Sequence, residues 1–177
     1  FGIVMTNEDG RIIRFLEKPS WGQVFSDTIN TGIYILEPEV LDLIPQKTEF
    51  DFSKDLYPLM LSRSLPLFGF IAEGYWRDIG NLNEYQQGQF DAVAEKVQLE
   101  VKGKKKDNIA FGNNTKIAPT AKFYGNVIIG DNTVIEDYSE ITDSVIDENV
   151  TIGTGSKIKR CTIWNNVKIG DFVELFD

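Results

Sequence analysis

Histidine is absent from this 177-residue chain. Its absence excludes a Ser-His-Asp or Cys-His site, a histidine-ligated zinc and any mechanism with an imidazole base. Cysteine occurs once, at Cys161, so no intrachain disulfide can form and a reducing, cytoplasmic setting is expected. Basic charge is also scarce: 18 Lys and Arg stand against 27 Asp and Glu, a net charge of −9. A phosphate backbone or an anionic membrane needs a basic face, so neither nucleic acid nor membrane is an expected partner. The one basic run, Lys104-Lys105-Lys106, reads as a solvated turn. No apolar run approaches ~18 residues, and no charged-then-apolar leader opens the chain.

What is present suffices for a core. Hydrophobic residues make up 42 % of the chain, with 12 Phe, 6 Tyr and 3 Trp, enough for one domain or two small ones. Phe1-Gly2-Ile3-Val4-Met5 reads as a strand already in progress, so the chain is expected to be a fragment with an upstream part missing. Asn7-Glu8-Asp9-Gly10 reads as a hairpin turn, and Arg11 to Leu16 as the partner strand, which Pro19 ends by removing a donor. Thr28 to Leu36 is apolar with little alternation, which predicts a strand buried on both faces. Pro38 suits a first helical turn whose apolar face would hold Val40, Leu41, Leu43 and Ile44. Asp51 or Ser53 can cap the next helix, with Leu56, Leu59 and Met60 inward. Leu65 to Trp76 reads as a further strand, ending near Asp78. Asn81 caps a long helix with Leu82, Tyr85, Phe90 and Val93 inward. Strands alternating with helices indicate an α/β domain over residues 1–94. Residues 95–108 are charged and read as a linker.

Beyond the linker, over residues 109–177, the chain repeats. Phe111-Gly-Asn-Asn114-Thr-Lys-Ile117 aligns with Ile129-Gly-Asp-Asn132-Thr-Val-Ile135, then with the segments containing Asn149 and Asn166. An aliphatic residue recurs every five or six positions, through Ile141, Ile146, Ile152, Ile158, Ile163, Ile169 and Leu175. One inward aliphatic per short side, three sides per coil, describes a parallel β-helix of triangular section. The four asparagines fall at one repeated corner, where left-handed backbone must be tolerated.

The order of several motifs then carries a resemblance. Phe1-Gly2-Ile3-Val4, Gly10-Arg11-Ile12, Phe15-Leu16-Glu17-Lys18-Pro19, Ile29-Asn30-Thr31-Gly32-Ile33-Tyr34, Asp51-Phe52-Ser53-Lys54-Asp55-Leu56 and Gly74-Tyr75-Trp76-Arg77-Asp78-Ile79-Gly80 resemble the second half of the sugar-phosphate nucleotidyltransferases. The branch most similar is the mannose-1-phosphate guanylyltransferase-like one. The resemblance implies part of a Rossmann-like nucleotidyltransferase domain, followed by a hexapeptide-repeat, left-handed parallel β-helix of about four coils. It implies an enzyme that joins a sugar 1-phosphate, mannose 1-phosphate in this branch, to a nucleoside triphosphate, GTP, with release of pyrophosphate. It assigns Asp78 to Mg²⁺, Glu17 and Asn30 to the sugar, Lys18 to the sugar phosphate, and to Gly2 a backbone that substrate approaches closely. Lys18 and Asp78 are thereby the catalytic candidates.

Each residue also has a plain reading. Glu17-Lys18 alone is an exposed ion pair, Asn30 a turn amide, Asp78 a helix-preceding cap and Gly2 a strand glycine. No G-x-G-x-x-G run occurs, so the nucleotide loop of the family is missing and the isolated chain is expected not to turn over. Two other readings compete: a non-catalytic assembly subunit built on the β-helix, and a hexapeptide acyltransferase, which the absence of histidine disfavours. The aliphatic edge left where the last coil stops is expected to support a homo-oligomer.

Overall fold

The computed structural model describes residues 2–18, 20–99 and 103–177, with Gln23 described by its backbone alone. The strand start at Phe1, the stop at Pro19 and the middle of the expected linker lie outside the described residues. The chain forms two compact units, Phe1–Gly74 and Tyr75–Asp177.

In the first unit, β1 (Ile3–Thr6) and β2 (Ile12–Leu16) pair antiparallel, with Ile3 opposite Leu16 and Val4 opposite Phe15. The turn between them forms because Gly10 takes φ 78° while its N–H donates to the Asn7 carbonyl at 3.0 Å. The two long apolar runs that read as strands do not form strands. Residues 28–36 touch β1 through a single bridge, Ile3 to Ile29, and Ile33 and Ile35 are exposed. Residues 65–76 are held by one bridge, Arg11 to Phe68, with Phe70 and Ile71 exposed. An apolar run becomes a strand only where another backbone offers its N–H and C=O groups. Among the described residues, each of these two runs has such a neighbour at one bridge only.

The helical starts behave as their caps dictate. Pro38–Leu43 is a 3₁₀ helix with Pro38 in its first turn. Val40, Leu43 and Ile44 pack inward while Leu41 faces solvent, contrary to expectation. Asp51 is the cap of the next helix, accepting from the Ser53 and Lys54 amides at 2.8 Å each. Phe52–Leu56 is a π-helical turn that runs into α1 (Tyr57–Ser62), and Leu56, Tyr57 and Met60 form the core of this unit.

In the second unit, α2 (Leu82–Val93) starts at Asn81, whose side chain accepts from the Glu84 amide at 3.0 Å. Phe90 and Val93 are buried as expected, but Leu82 is exposed. The helix packs on the β-helix: Gln86 Nε2 donates to the Cys161 carbonyl at 3.2 Å, and the Tyr85 and Trp164 rings lie 5.2 Å apart. Lys104-Lys105-Lys106 is a strand rather than a turn. As β3 (Lys104–Lys106) it runs antiparallel to β4 (Ile109–Phe111), with its side chains in solvent.

The remaining strands wind into three stacked faces. One face stacks β5 (Lys116–Ile117), β7 (Val134–Ile135), β9 (Thr151–Ile152) and β12 (Lys168–Ile169) in parallel register. A second joins the first halves of β6 (Lys122–Ile129) and β8 (Glu140–Ile146) to β10 (Lys157–Lys159) and β13 (Glu174–Phe176). The third joins β4, the second halves of β6 and β8, and β11 (Thr162–Ile163). Ile129, Ile135, Ile141, Ile146, Ile152 and Ile158 fill the interior with Val127 and Val150. Asn114, Asn132, Asn149 and Asn166 have φ of 54° to 61°, and the Asn114 and Asn132 side chains each donate to the next asparagine at 3.3 Å. No described helix is long and apolar enough to cross a membrane.

Candidate functional site

The first group of candidate residues meets around Gly2, in the unit Phe1–Gly74. Asn30 N–H donates to the Gly2 carbonyl at 2.8 Å, which brings the extended residues 28–30 beside the start of β1. A methyl group on Gly2 would stand 2.6 Å from Glu17 Oε2, 3.2 Å from the Phe15 ring and 3.5 Å from Asn30 Cβ. Glu17 follows directly after β2, which carries its carboxylate to the same place. Three residues from separate motifs therefore converge on a point where no side chain fits.

The Asn30 amide is fixed on both sides. Its Nδ2 donates to the Tyr34 hydroxyl at 2.7 Å and the Ser53 hydroxyl at 3.3 Å, and its Oδ1 accepts from the Gly32 amide at 3.1 Å. A cleft of about 390 Å³ lies beside this group, lined by Val4, Ile12, Asn30, Tyr34 and Tyr57 among others. Tyr57 is 3 % exposed, and its hydroxyl has no hydrogen-bond partner of good geometry. Burial, and then the neighbouring Tyr34 phenol, push the Tyr57 pKa above its ordinary value. Lys18 is exposed with φ 45°, an uncommon conformation for a residue with a side chain. Neither Lys18 nor Glu17 makes an ion pair with a described residue.

Asp78 belongs to the other unit, on the segment that leads into α2. It does not cap the helix, since Asn81 does. Its carboxylate is exposed and forms no hydrogen bond or ion pair with a described residue, so both oxygens are open. No cluster of three metal-ligating side chains occurs among the described residues. A cation at Asp78 would thus take most of its shell from ligand oxygens and water. A small hard ion such as Mg²⁺, commonly held by one or two carboxylates, fits that donor set.

Residue-by-residue reading missed a second carboxylate, Asp91, which is 2 % exposed on α2. Its oxygens accept from the Tyr75 hydroxyl and Arg77 Nη2, both at 3.0 Å, and from Gln87 Nε2 and Lys96 Nζ, both at 2.9 Å. Burial alone would raise its pKa, but the bonds from Lys96, Gln87 and Tyr75 outweigh it and hold the value at about 2. The available signal was an acidic residue between two inward apolar positions, Phe90 and Val93. Tyr34 and Ser53 were missed as partners of Asn30, although both lie inside the motifs quoted above.

The fold is that of a mixed α/β protein with a β-helix tail. Residues 1–96 match the family profile described as Nucleotidyl transferase, and residues 105–177 the one described as GMPPB C-terminal domain. The chain belongs to the nucleotidyl transferase family. It is 31 % identical to a UTP–glucose-1-phosphate uridylyltransferase of Synechocystis, across 89 % of this chain and 46 % of that protein. It is 30 % identical to a glucose-1-phosphate adenylyltransferase of Desulfitobacterium hafniense, across 99 % and 45 %. With a mannose-1-phosphate guanylyltransferase of Mycobacterium tuberculosis the identity is 28 %, across 90 % and 44 %. The chain spans a little under half the length of these relatives.

Proposed function

We propose that the protein bearing this chain transfers a nucleotidyl group from a nucleoside triphosphate to a sugar 1-phosphate, and that this chain supplies the sugar-phosphate side of the site. The observation that carries the reading is the convergence of the Glu17 carboxylate and Asn30 on the Gly2 backbone, closer than a side chain on Gly2 would allow. A phosphate oxygen of the sugar attacks the α-phosphorus, the α–β anhydride bond breaks, and pyrophosphate leaves with the displaced electron pair. Catalysis of this kind rests on alignment and on neutralising charge.

Glu17 accepts hydrogen bonds from sugar hydroxyls, and the fixed Asn30 amide orients the ring. Lys18 meets the sugar phosphate as a point charge. Gly2 lets the sugar lie against the backbone. Asp78 holds a divalent cation, Mg²⁺, which when bound neutralises phosphate charge. GTP and mannose 1-phosphate are the proposed pair, supported by the second family profile and the guanylyltransferase relative, against the adenylyl and uridylyl relatives of similar identity.

Residues 1–94 act as part of the nucleotidyltransferase domain, 95–108 as linker and 109–177 as the β-helix. The chain holds no glycine-rich nucleotide loop, so these 177 residues alone release no pyrophosphate. The β-helix, with Phe172 and Phe176 exposed near its end, mediates a homo-oligomer in the cytoplasm. Light scattering that gave a strict monomer would contradict the oligomer.

The test of function is pyrophosphate release by the full protein over a panel of nucleotides and sugar phosphates. Lys18→Gln should raise KM for the sugar phosphate by roughly tenfold or more, the loss of one charge-assisted contact. An unchanged KM would remove Lys18 from the site.

A further inference from the structure

A carboxylate that holds a cation at a defined point needs a fixed backbone beneath it. Residues 75–80 have no helix or strand of their own, so packing fixes them, and α2 contributes a defined part of that fixation. Three contacts supply it. Tyr75 and Arg77 both donate to Asp91 Oδ2, and Arg77 Nε donates to the Tyr75 hydroxyl at 3.0 Å, closing a three-membered ring of bonds. Arg77 also pairs with Glu84, in the first turn of the helix. The third contact is steric. A methyl group on Gly88 would stand 3.0 Å from Ile79 Cδ1 and 3.6 Å from Arg77 Cδ, so the segment lies in a notch that Gly88 opens in α2. Glycine inside a helix costs about 1 kcal/mol against alanine, and close approach is the return for it. Arg77 and Ile79 are the two chain neighbours of Asp78, and both are pinned, while the Asp78 side chain stays open.

We propose that Asp91, acting through Tyr75 and Arg77 and with the Gly88 notch, is the positioning residue that holds the Asp78 carboxylate in place for its cation. This rests on the reading of Asp78 as the metal ligand. Asp91 itself binds no metal, because both of its oxygens are occupied by protein donors. The β-helix is part of the same device, since α2 is seated on it through Gln86 and the Tyr85–Trp164 contact.

The experiment measures Mn²⁺ affinity by paramagnetic resonance and amide hydrogen exchange on the full protein, for wild type and four variants. Asp91→Asn should lower Mn²⁺ affinity about tenfold, the usual scale for groups that orient a ligand. It should also speed exchange at residues 75–80 while the amides of the β-helix keep their protection. Tyr75→Phe, which removes one hydroxyl and should fold normally, should do the same to a smaller degree. Gly88→Ala should lower Mn²⁺ affinity although it favours the helix. Asp78→Asn should abolish Mn²⁺ binding with exchange at residues 75–80 unchanged. Wild-type affinity and exchange in both Asp91→Asn and Tyr75→Phe would overturn the proposal. So would Asp91→Asn exchange that rises equally throughout the β-helix with Tyr75→Phe unaffected. Retained Mn²⁺ binding in Asp78→Asn would instead overturn the metal reading on which the proposal rests.

Discussion

Gly2 and Gly88 are both places where neighbouring side chains come closer than a methyl group would comfortably allow: Glu17 and Phe15 at Gly2, Ile79 at Gly88. Gly2→Ala should therefore raise KM for the sugar phosphate by roughly tenfold, about 1.4 kcal/mol of binding, with kcat changed much less. Steady-state kinetics on the full protein would check this, and an unchanged KM would mean that nothing approaches Gly2. Tyr57 makes the opposite case, a buried hydroxyl with no hydrogen-bond partner of good geometry among the described residues. An unsatisfied buried polar group costs about 1–3 kcal/mol, so Tyr57→Phe should be neutral or stabilising by about 1 kcal/mol in a denaturant melt. A clear loss of stability would show that the hydroxyl has a partner. Side-chain identity alone singles out none of the proposed site residues. Glu17, Lys18, Asn30 and Asp78 stand out only as a set, in the order of the family's motifs. Asp91 hid in a helix pattern that counted apolar positions and passed over a charge among them.

The β-helix coil is the element whose energetics can be stated most directly. Ile152 is fully buried between coils, and Ile152→Ala should cost on the order of 2–5 kcal/mol, read from equilibrium unfolding. At the corner, Asn149 holds φ 57°, so Asn149→Ala should cost about 1–2 kcal/mol while Asn149→Gly costs less. If the two variants melted alike, the corner would not be limited by backbone strain. Helix α2 makes a pH prediction through Asp91. Its pKa falls on folding from 3.8 to about 2, so it stabilises the fold above the unfolded value. That contribution fades as pH drops from about 4 through about 2. Asp91→Asn should lack this acid-dependent step, measured as unfolding midpoint against pH. Repeats and caps were readable in sequence because each is a local rule: an inward aliphatic every five or six residues, and an acceptor ahead of a helix. The two apolar runs, residues 28–36 and 65–76, were misread because strand formation is not local. Their composition suits a sheet, but each is bridged to a neighbour at one point only.

At the scale of the whole molecule the candidate groups fall in different compact units: Gly2, Glu17, Lys18 and Asn30 in one, Asp78 with α2 and the β-helix in the other. The α2 sequence falls within the Nucleotidyl transferase profile over residues 1–96, and its contacts with Cys161, Thr162 and Trp164 seat it on the β-helix. Such contacts join residues about 75 positions apart in the chain, beyond the reach of any local pattern. The central claim is that Asp78 brings a metal ligand to a nucleotidyl-transfer site assembled partly from this chain. The direct measurement is pyrophosphate release by the full protein, wild type against Asp78→Asn, with the unfolding midpoint of both recorded. The account predicts a rate loss of roughly 100-fold or more at an unchanged midpoint, the signature of a group that acts in the transition state. A variant that kept the wild-type rate would contradict it.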